Sequence, residues 1–287
     1  MPAWRLSDRT LELERPIGVG IVNVTDDSMH EGARSGTPER AVADGLALAA
    51  AGFEMLDVGA VAARSGPPVP AADEAARLLP AVEGLGAKAG VPVSVDTFSA
   101  DVASGALDAG AAAINDISGA ADPALLELAA ESGCGLVLMH IEGPAREDRA
   151  ARSLGDPVAH LERWFSERIE AALARGVAAE QLALDPGLDF DLTVADDLEL
   201  VRRLGELRGL GRPLFVSLSR KDFLGAALAG SWDERLPADR REWATCAAAA
   251  LAVAEGAELM RLHDASALQA VRVAGAIAGR PAEVAGG

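Results

Sequence analysis

Carboxylates and amides recur along this chain at the points where short apolar runs end. Asp96, Asn115 and Asp185 each stand at the end of such a run. A side chain of this kind is costly inside an apolar run unless it finds a hydrogen-bond partner. Acceptors and amides brought together from neighbouring runs suit the polar edge of a flat, nitrogen-rich heterocycle. The sequence therefore predicts a buried site for such a ring.

Cations follow the last two apolar runs, in a chain whose net charge is −18. Lys221 comes after one run, and Arg261 and His263 lie in and after the next. Cations gathered at one place in so acidic a protein favour an anionic ligand, and a diphosphate would explain them. Asn23, near the end of the first run, could help to hold Mg²⁺, which prefers oxygen ligands and substrate phosphates. We therefore expect a diphosphate with Mg²⁺ beside the heterocycle.

The elements that must position these residues are eight apolar strands that alternate with helices, a pattern typical of a buried parallel sheet. The predicted strands cover residues 17–25, 55–60, 91–97, 112–118, 135–141, 181–187, 213–219 and 259–264. The predicted helices cover 37–51, 73–88, 99–109, 123–132, 156–175, 194–206, 239–255 and 265–278. Eight such units favour a (β/α)8 TIM barrel, an α/β fold, over the alternative of an open doubly wound sheet. The polar residues then lie at the carboxyl ends of the strands, where barrel enzymes form their sites.

One domain is predicted, because no break in composition divides the 287 residues. Residues 1–16 are expected to form an extension across the bottom of the barrel, residues 17–279 the barrel itself, and residues 280–287 a flexible tail. The N-terminal segment is charged throughout, so a signal peptide is not expected. No run of about 18 apolar residues is free of charge, which argues against a membrane span.

Charge and cysteine content argue against several classes of protein. A net charge of −18 disfavours binding to nucleic acid or to anionic membranes, because both attract basic surfaces. Cys134 and Cys246 lie far apart in apolar surroundings, so buried free thiols in a reduced cytoplasm are expected. The sequence shows neither a Cys/His cluster for zinc nor a Walker-type glycine loop, and His140 is interpreted as a structural histidine.

Seven short motifs, one at the end of almost every predicted strand, resemble the dihydropteroate synthase family. In chain order they are IVNVTDDS (21–28), SVDT (94–97), INDISG (114–119), VLMH (137–140), LDPG (184–187), SRKDF (219–223) and RLHD (261–264). Each motif alone is weak, but the seven in this order span nearly the whole chain and are highly specific. The chain is therefore identified as a member of this family of pterin-binding barrels.

The resemblance implies a reaction and the residues that carry it out. Family members condense 6-hydroxymethyl-7,8-dihydropterin diphosphate with the amine of p-aminobenzoate and release pyrophosphate, usually as homodimers. The pterin would be held by Asp96, Asn115, Met139, Asp185, Phe190 and Lys221, and the diphosphate by Asn23, Arg261 and His263 with Mg²⁺. The implied catalytic residues are Asp96, Lys221, Arg261 and His263. Cations and Mg²⁺ would stabilise the charge that builds on the leaving group, and the carboxylate would stabilise the developing pterin-methyl cation.

The loops expected to seat p-aminobenzoate depart from the family pattern. Where the family usually reads D-x-G-G-E-S-T-R-P-G, this chain reads DVGAVAARSG over 57–66, with Ala63 replacing the threonine and Arg64 retained. The family's S-R-K-S has become SRKD, which ends in Asp222 at a helix N-terminus beside the p-aminobenzoate carboxylate. Asp222 is expected to cap that helix and to repel an anionic ligand. The usual G-F-G-K-T reads DFDLT over 189–193, which adds two acids and removes a cation.

Three interpretations of these departures stay open at the level of sequence. The chain could be an ordinary dihydropteroate synthase that tolerates altered loops. It could instead be a pterin-binding relative whose second substrate is a different, non-carboxylate amine, or a paralogue without catalytic activity. Pterin-dependent methyl transfer is disfavoured, because a methyl donor has no diphosphate for the predicted cations to hold.

Overall fold

The strands of the protein form a barrel in the computed structural model, which describes residues 2–24, 36–62, 66–147 and 149–280. They are β1 (Ala3–Arg5), β2 (Thr10–Glu12), β3 (Ile17–Asn23), β4 (Met55–Gly59), β5 (Val93–Asp96), β6 (Ala113–Asp116), β7 (Gly135–Met139), β8 (Leu182–Asp185), β9 (Phe215–Ser217) and β10 (Leu259–Leu262). The last eight are parallel and are paired in the order β8-β7-β6-β5-β4-β3-β10-β9. A parallel bridge between Leu184 and Leu214 joins the two ends of this order. The predicted single-domain (β/α)8 barrel is thereby confirmed.

Helices alternate with the barrel strands along the chain. Within the described residues they are α1 (Pro38–Ala50), α2 (Ala71–Lys88), α3 (Ala100–Asp108), α4 (Pro123–Ser132), α5 (Pro157–Ala174), α6 (Val194–Arg202), α7 (Asp222–Ala229), α8 (Glu242–Ala254) and α9 (Ala265–Ile277). The hydrophobic pattern did not predict α7, because its sequence DFLGAALA has no polar face and so lacks the spacing of a surface helix. None of the helices in these ranges is both long and apolar enough to cross a membrane.

A hairpin of β1 and β2 packs against the amino ends of the barrel strands. Trp4 is fully buried, and its indole nitrogen donates to the backbone carbonyl of Gln181 just before β8 (2.7 Å). Gly135, the first residue of β7, leaves room for the indole, because an added Cβ would lie 2.9 Å from the ring. The hairpin therefore lies at the end of the barrel opposite to the polar strand ends. Residues 281–287, most of the predicted tail, lie outside the described residues.

The two cysteines are free, and they differ in burial. Cys134 is buried between α4 and β7, as expected for a thiol in an apolar run. Cys246, which lies on α8, is only half-buried. The expectation of a buried thiol is therefore confirmed for Cys134 and wrong for Cys246.

Candidate active site

Asp57, the middle residue of β4, links four barrel strands. Its Oδ1 accepts a hydrogen bond from Ser94 Oγ (2.6 Å), and its Oδ2 accepts from Asn115 Nδ2 (3.0 Å) and Arg261 Nε (2.6 Å). The carboxylate is fully buried. Asp57 lies inside the predicted strand 55–60 but was not among the predicted site residues. A carboxylate inside an apolar run must be paired when it is buried, and that requirement was the signal that could have identified it.

Arg261 bridges two buried carboxylates. In addition to its contact with Asp57, its Nη2 donates to Asp96 Oδ2 (2.8 Å). Burial raises the pKa of Asp96, and the positive charge of Arg261 acts in the opposite direction. The resemblance implied that Arg261 holds the diphosphate. In the structure two of its three guanidinium nitrogens contact the carboxylates of Asp57 and Asp96, and Asp96 is one of the residues expected to hold the pterin.

Asn115 and Asp185 present buried acceptors at the same end of the barrel. The Nδ2 atom of Asn115 is committed to Asp57, whereas its Oδ1 is buried and has no hydrogen-bond partner among the described residues. Asp185 Oδ1 accepts from the backbone nitrogen of Gly187 (2.8 Å), and burial raises the pKa of Asp185 to about 6. Because an unsatisfied buried acceptor costs about 1–3 kcal/mol, Asn115 Oδ1 indicates a ligand that donates a hydrogen bond.

An apolar floor lies beside these acceptors. Met139 and Phe190, both expected to contact the pterin, pack in one buried cluster with Ile117 and Ile141. Lys221 Nζ lies 4.3 Å from the centre of the Phe190 ring, which is a favourable distance for a cation–π contact. The positive charge of Lys221 offsets part of the rise that burial causes in the pKa of Asp185. The structure thus brings the predicted pterin residues of β7 and of the loops after β8 and β9 to one place.

Residues expected at the diphosphate lie on neighbouring strands. β10 pairs with β9 on one side and with β3 on the other. Lys221 follows β9, His263 follows β10 and Asn23 ends β3, so the three residues lie on or after adjacent strands. His263 Nδ1 lies 2.9 Å from Ser219 Oγ, which fixes the orientation of the ring. Asn23 ends β3 and is partly exposed. Two residues predicted for the second-substrate site, Ala63 and Arg64, lie outside the described residues, as do residues 25–35 of the first loop.

The expectation that Asp222 caps α7 is wrong. Asp189 supplies the cap: its Oδ2 accepts from the backbone nitrogen of Asp222 (2.7 Å) and its Oδ1 from that of Phe223 (3.1 Å). The Asp222 carboxylate is instead paired with Arg241 Nη1 (2.6 Å) and lies 3.5 Å from Arg235 Nε. Its negative charge is therefore countered by cations of the chain, and the anion at the start of α7 is Asp189.

Asp189 and Asp191 hold the loop after β8 in an unusual conformation. Their φ angles are +70° and +62°, in the left-handed region that favours glycine. The Asp191 carboxylate accepts from Arg149 Nη2 (2.6 Å) and Nε (2.9 Å), away from α7. Both positions correspond to glycines of the family's usual G-F-G-K-T. The two acids therefore make side-chain contacts at positions where the family usually has glycine.

Asp197 of α6 supports this loop with a buried carboxyl. Its Oδ1 accepts from the backbone nitrogen of Asp189 (2.9 Å), while its Oδ2 is buried without a partner in the described part of the chain. Burial raises the pKa of Asp197 to about 8, and the nearby charge of Asp189 adds to the rise. This raised pKa favours the protonated form of Asp197 in the folded protein at neutral pH.

Replacing Asp197 with Asn is expected to change how stability depends on pH. The unfolded carboxyl titrates at about pH 3.9, so between that pH and about 8 the folded chain keeps a proton that the unfolded chain has released. The free energy of unfolding contributed by this group therefore falls as the pH rises, by up to about 1.4 kcal/mol per unit, and Asn removes that loss. Urea unfolding of both proteins across this window measures the difference. A constant offset between the two curves would contradict the assignment.

Comparisons with known proteins agree with this geometry. Residues 19–263 match the family described as pterin binding enzyme. Dihydropteroate synthase of Mycobacterium leprae is 41% identical over 266 residues, which cover 90% of this chain and 92% of the relative. A protein of the same organism named inactive dihydropteroate synthase 2 is 38% identical over 272 residues, 93% of this chain and 91% of that one. The structure of Xanthomonas albilineans dihydropteroate synthase with 4-aminobenzoic acid has a TM-score of 0.85 at 38% identity, covering 96% of this chain and 98% of that one. The chain therefore belongs to the pterin-binding enzyme family, among relatives that are dihydropteroate synthases.

Proposed function

We propose that this protein is a transferase that condenses a dihydropterin diphosphate with p-aminobenzoate and releases pyrophosphate. The observation that carries the proposal is the buried Asn115 Oδ1, which has no partner among the described residues and lies beside the carboxylate network of Asp57. A pterin edge carries N–H donors that would satisfy this atom. The apolar cluster of Met139 and Phe190 offers a surface for the flat ring.

Different residues would contact the pterin and the diphosphate of the substrate. Asp185 and Asn115 would accept hydrogen bonds from the pterin, and Lys221, above Phe190, would face its opposite edge. Asp96 would lie close to the carbon that the amine attacks. The C–O bond between that carbon and the diphosphate would break, and pyrophosphate would leave with the bonding electron pair, its growing charge stabilised by the nearby cations. The amine nitrogen would then bond to the pterin-methyl cation and lose a proton to water. Arg261 would orient Asp96 through the contact between its Nη2 and Asp96 Oδ2.

Mg²⁺ belongs to this proposal as a partner of the diphosphate. Mg²⁺ is commonly held by one or two protein oxygens together with substrate phosphates and water. The carboxamide oxygen of Asn23, at the end of β3 and next to β10, fits the role of a single protein ligand. When bound, the ion would neutralise charge on the leaving pyrophosphate.

The experiment that tests the proposal is a measurement of pyrophosphate release. Purified protein is given the dihydropterin diphosphate and Mg²⁺, with and without p-aminobenzoate, and dihydropteroate is quantified in parallel. We expect release that depends on p-aminobenzoate and that falls by about 100-fold or more in Lys221→Met, which removes the cation from the site. Pterin binding by calorimetry without turnover would identify a non-catalytic paralogue and would overturn the proposal.

A second candidate function is the condensation of the same pterin with an amine that has no carboxylate. It is favoured by the carboxylate of Asp189, which already occupies the first two backbone donors of α7. The resemblance implies that the carboxylate of p-aminobenzoate lies beside this helix N-terminus. Pyrophosphate release stimulated by an uncharged aromatic amine but not by p-aminobenzoate would support this second function.

We also propose that the protein is a cytoplasmic homodimer. Leu198, Leu228 and Leu251 are exposed on α6, α7 and α8, and they line an apolar groove of about 420 Å³. A second chain packed on these helices would remove this surface from water. Light scattering is expected to give twice the chain mass of 29.4 kDa, and Leu251→Glu is expected to shift the protein toward the monomer.

A further inference from the structure

His140, Glu142 and His160 converge at a point on the outer side of β7. Met139, the last residue of that strand, packs in the apolar cluster of the candidate active site, and His140 faces the other way, toward α5. The Oε1 atom of Glu142 lies 3.0 Å from His140 Nε2 and 2.6 Å from His160 Nε2. The three ligand-type atoms all lie within 4.8 Å of one another. The sequence indicated no such cluster, because His160 belongs to the following helix.

We propose that these three residues bind one Zn²⁺ ion. Two imidazole nitrogens and one carboxylate oxygen are donors that zinc prefers, with a fourth position left for water. A tetrahedral zinc site with bonds of about 2.0–2.2 Å separates its ligand atoms by about 3.4 Å. Two of the present separations are shorter than this, so the triangle must open slightly. Glu142 lies in a loop after β7, where a shift of less than about 1 Å is inexpensive because no helix or strand is disturbed.

The carboxylate and the rings are held by further contacts. Arg152 Nη2 donates to the other oxygen of Glu142, Oε2 (3.1 Å), which leaves Oε1 as the oxygen that faces both histidines. The His140 ring packs edge-on against Trp164 at 5.1 Å and against the His160 ring at 5.7 Å between centroids. Such supporting contacts around ligand residues orient them and contribute to metal affinity.

The second nitrogen of His140 gives an independent reason for a metal. When Nε2 donates to Glu142, the other nitrogen, Nδ1, carries a lone pair, and it is buried with no partner among the described residues. An ion on Nε2 would move the proton to Nδ1. Histidines that bind a metal commonly donate their second N–H to a backbone carbonyl, a carboxylate or water.

The cluster is accessible from solvent on one side. Glu142 and His160 line an open pocket of about 270 Å³ together with Gly143, Trp164 and Glu167. The side chains of Glu142 and His160 are 20% and 22% exposed, whereas His140 is fully buried. An ion can therefore reach the two outer ligands directly, and a water molecule can complete its coordination.

Metal titration of the full-length protein tests the proposal without any pterin. After removal of metals by chelation, Zn²⁺ is titrated by calorimetry and Co²⁺ by visible absorption spectroscopy. We expect one ion per chain, intense cobalt bands typical of four-coordinate geometry, and a higher melting temperature with Zn²⁺. His160→Ala and Glu142→Gln are each expected to weaken binding by at least about 100-fold, because each removes a direct ligand.

The matched control is Glu167→Gln, which removes a carboxylate from the same pocket without removing a proposed ligand. It is expected to bind Zn²⁺ as the parent protein does. Circular dichroism confirms that each variant is folded before its affinity is compared. The proposal is overturned if the folded parent protein binds neither metal, or if both ligand variants bind with unchanged affinity and cobalt spectrum. Because no substrate is present, the result is independent of whether the protein is a synthase.

Discussion

Arg261→Ala is expected to remove nearly all pyrophosphate release and to destabilise the fold by about 3–5 kcal/mol, the usual cost of an unpaired buried charge. The guanidinium contacts both Asp57 and Asp96, and both carboxylates are buried. Without Arg261 both buried carboxylates would lose the guanidinium that pairs them. The loss of a preorganised cation at the reaction centre is expected to lower the rate by about 100- to 1000-fold. Urea unfolding and the pyrophosphate assay measure the two effects separately.

Two further variants identify the cause of the loss. Arg261→Lys keeps the charge but cannot hold two carboxylates in the fixed geometry of a guanidinium, so an intermediate stability is expected. The double variant Asp57→Asn/Arg261→Ala removes one of the two carboxylates that Arg261 pairs. It is expected to recover part of the stability lost in Arg261→Ala. If Arg261→Ala unfolds at the same urea concentration as the parent protein, the bridge between the two carboxylates contributes nothing to the fold.

Asp189→Gly is expected to lower the KM for p-aminobenzoate by at least about 10-fold, which corresponds to about 1.4 kcal/mol. The Asp189 carboxylate accepts hydrogen bonds from the backbone nitrogens of Asp222 and Phe223, the first two residues of α7. The carboxylate of p-aminobenzoate, if it lies beside this helix start, is repelled by the carboxylate of Asp189. Two like charges about 4 Å apart repel each other by up to roughly 4 kcal/mol near a protein surface. Glycine removes this charge and frees both donors. It also suits the left-handed backbone at position 189, where φ is +70°.

Matched variants separate the charge of Asp189 from the backbone of its loop. Asp189→Asn keeps one acceptor for α7 and removes the charge, so a smaller decrease in KM is expected. Asp191→Gly relieves the same left-handed backbone but leaves the cap of α7 intact, because Asp191 is paired with Arg149 instead. Its KM is expected to match that of the parent protein. Equal decreases in Asp189→Gly and Asp191→Gly would assign the effect to loop flexibility and would contradict a role for the capping carboxylate.

The same variants bear on the choice between the two candidate functions. If the second substrate is p-aminobenzoate, the parent protein already uses it and Asp189→Gly only improves its binding. If the second substrate has no carboxylate, the parent protein is inactive with p-aminobenzoate and Asp189→Gly is expected to create that activity. The direction of change is the same, and the starting activity distinguishes the two functions.

Much of the fold could be predicted from the sequence because its signals are local. Apolar runs of strand length alternate with amphipathic segments of helix length, and this alternation alone indicates a barrel of parallel strands. Two elements were not predicted: the hairpin of β1 and β2, and α7, whose apolar sequence lacks the spacing of a surface helix. The same pattern indicates where each strand ends, so the sequence alone places Asp96, Asn115 and Asp185 at one end of the barrel.

The sequence by itself thus determined the barrel, its family and the end at which its chemistry lies, since these depend on periodicity and on motifs of neighbouring residues. Only the tertiary structure decided which side chains meet: Arg261 with Asp57 and Asp96, Asp189 with the start of α7, and His140 with His160. The first two of these contacts join residues from different βα units, and the third joins the end of β7 to the helix that follows it. Their partners are chosen by rotamer, loop path and burial, and no local pattern in the sequence records those choices.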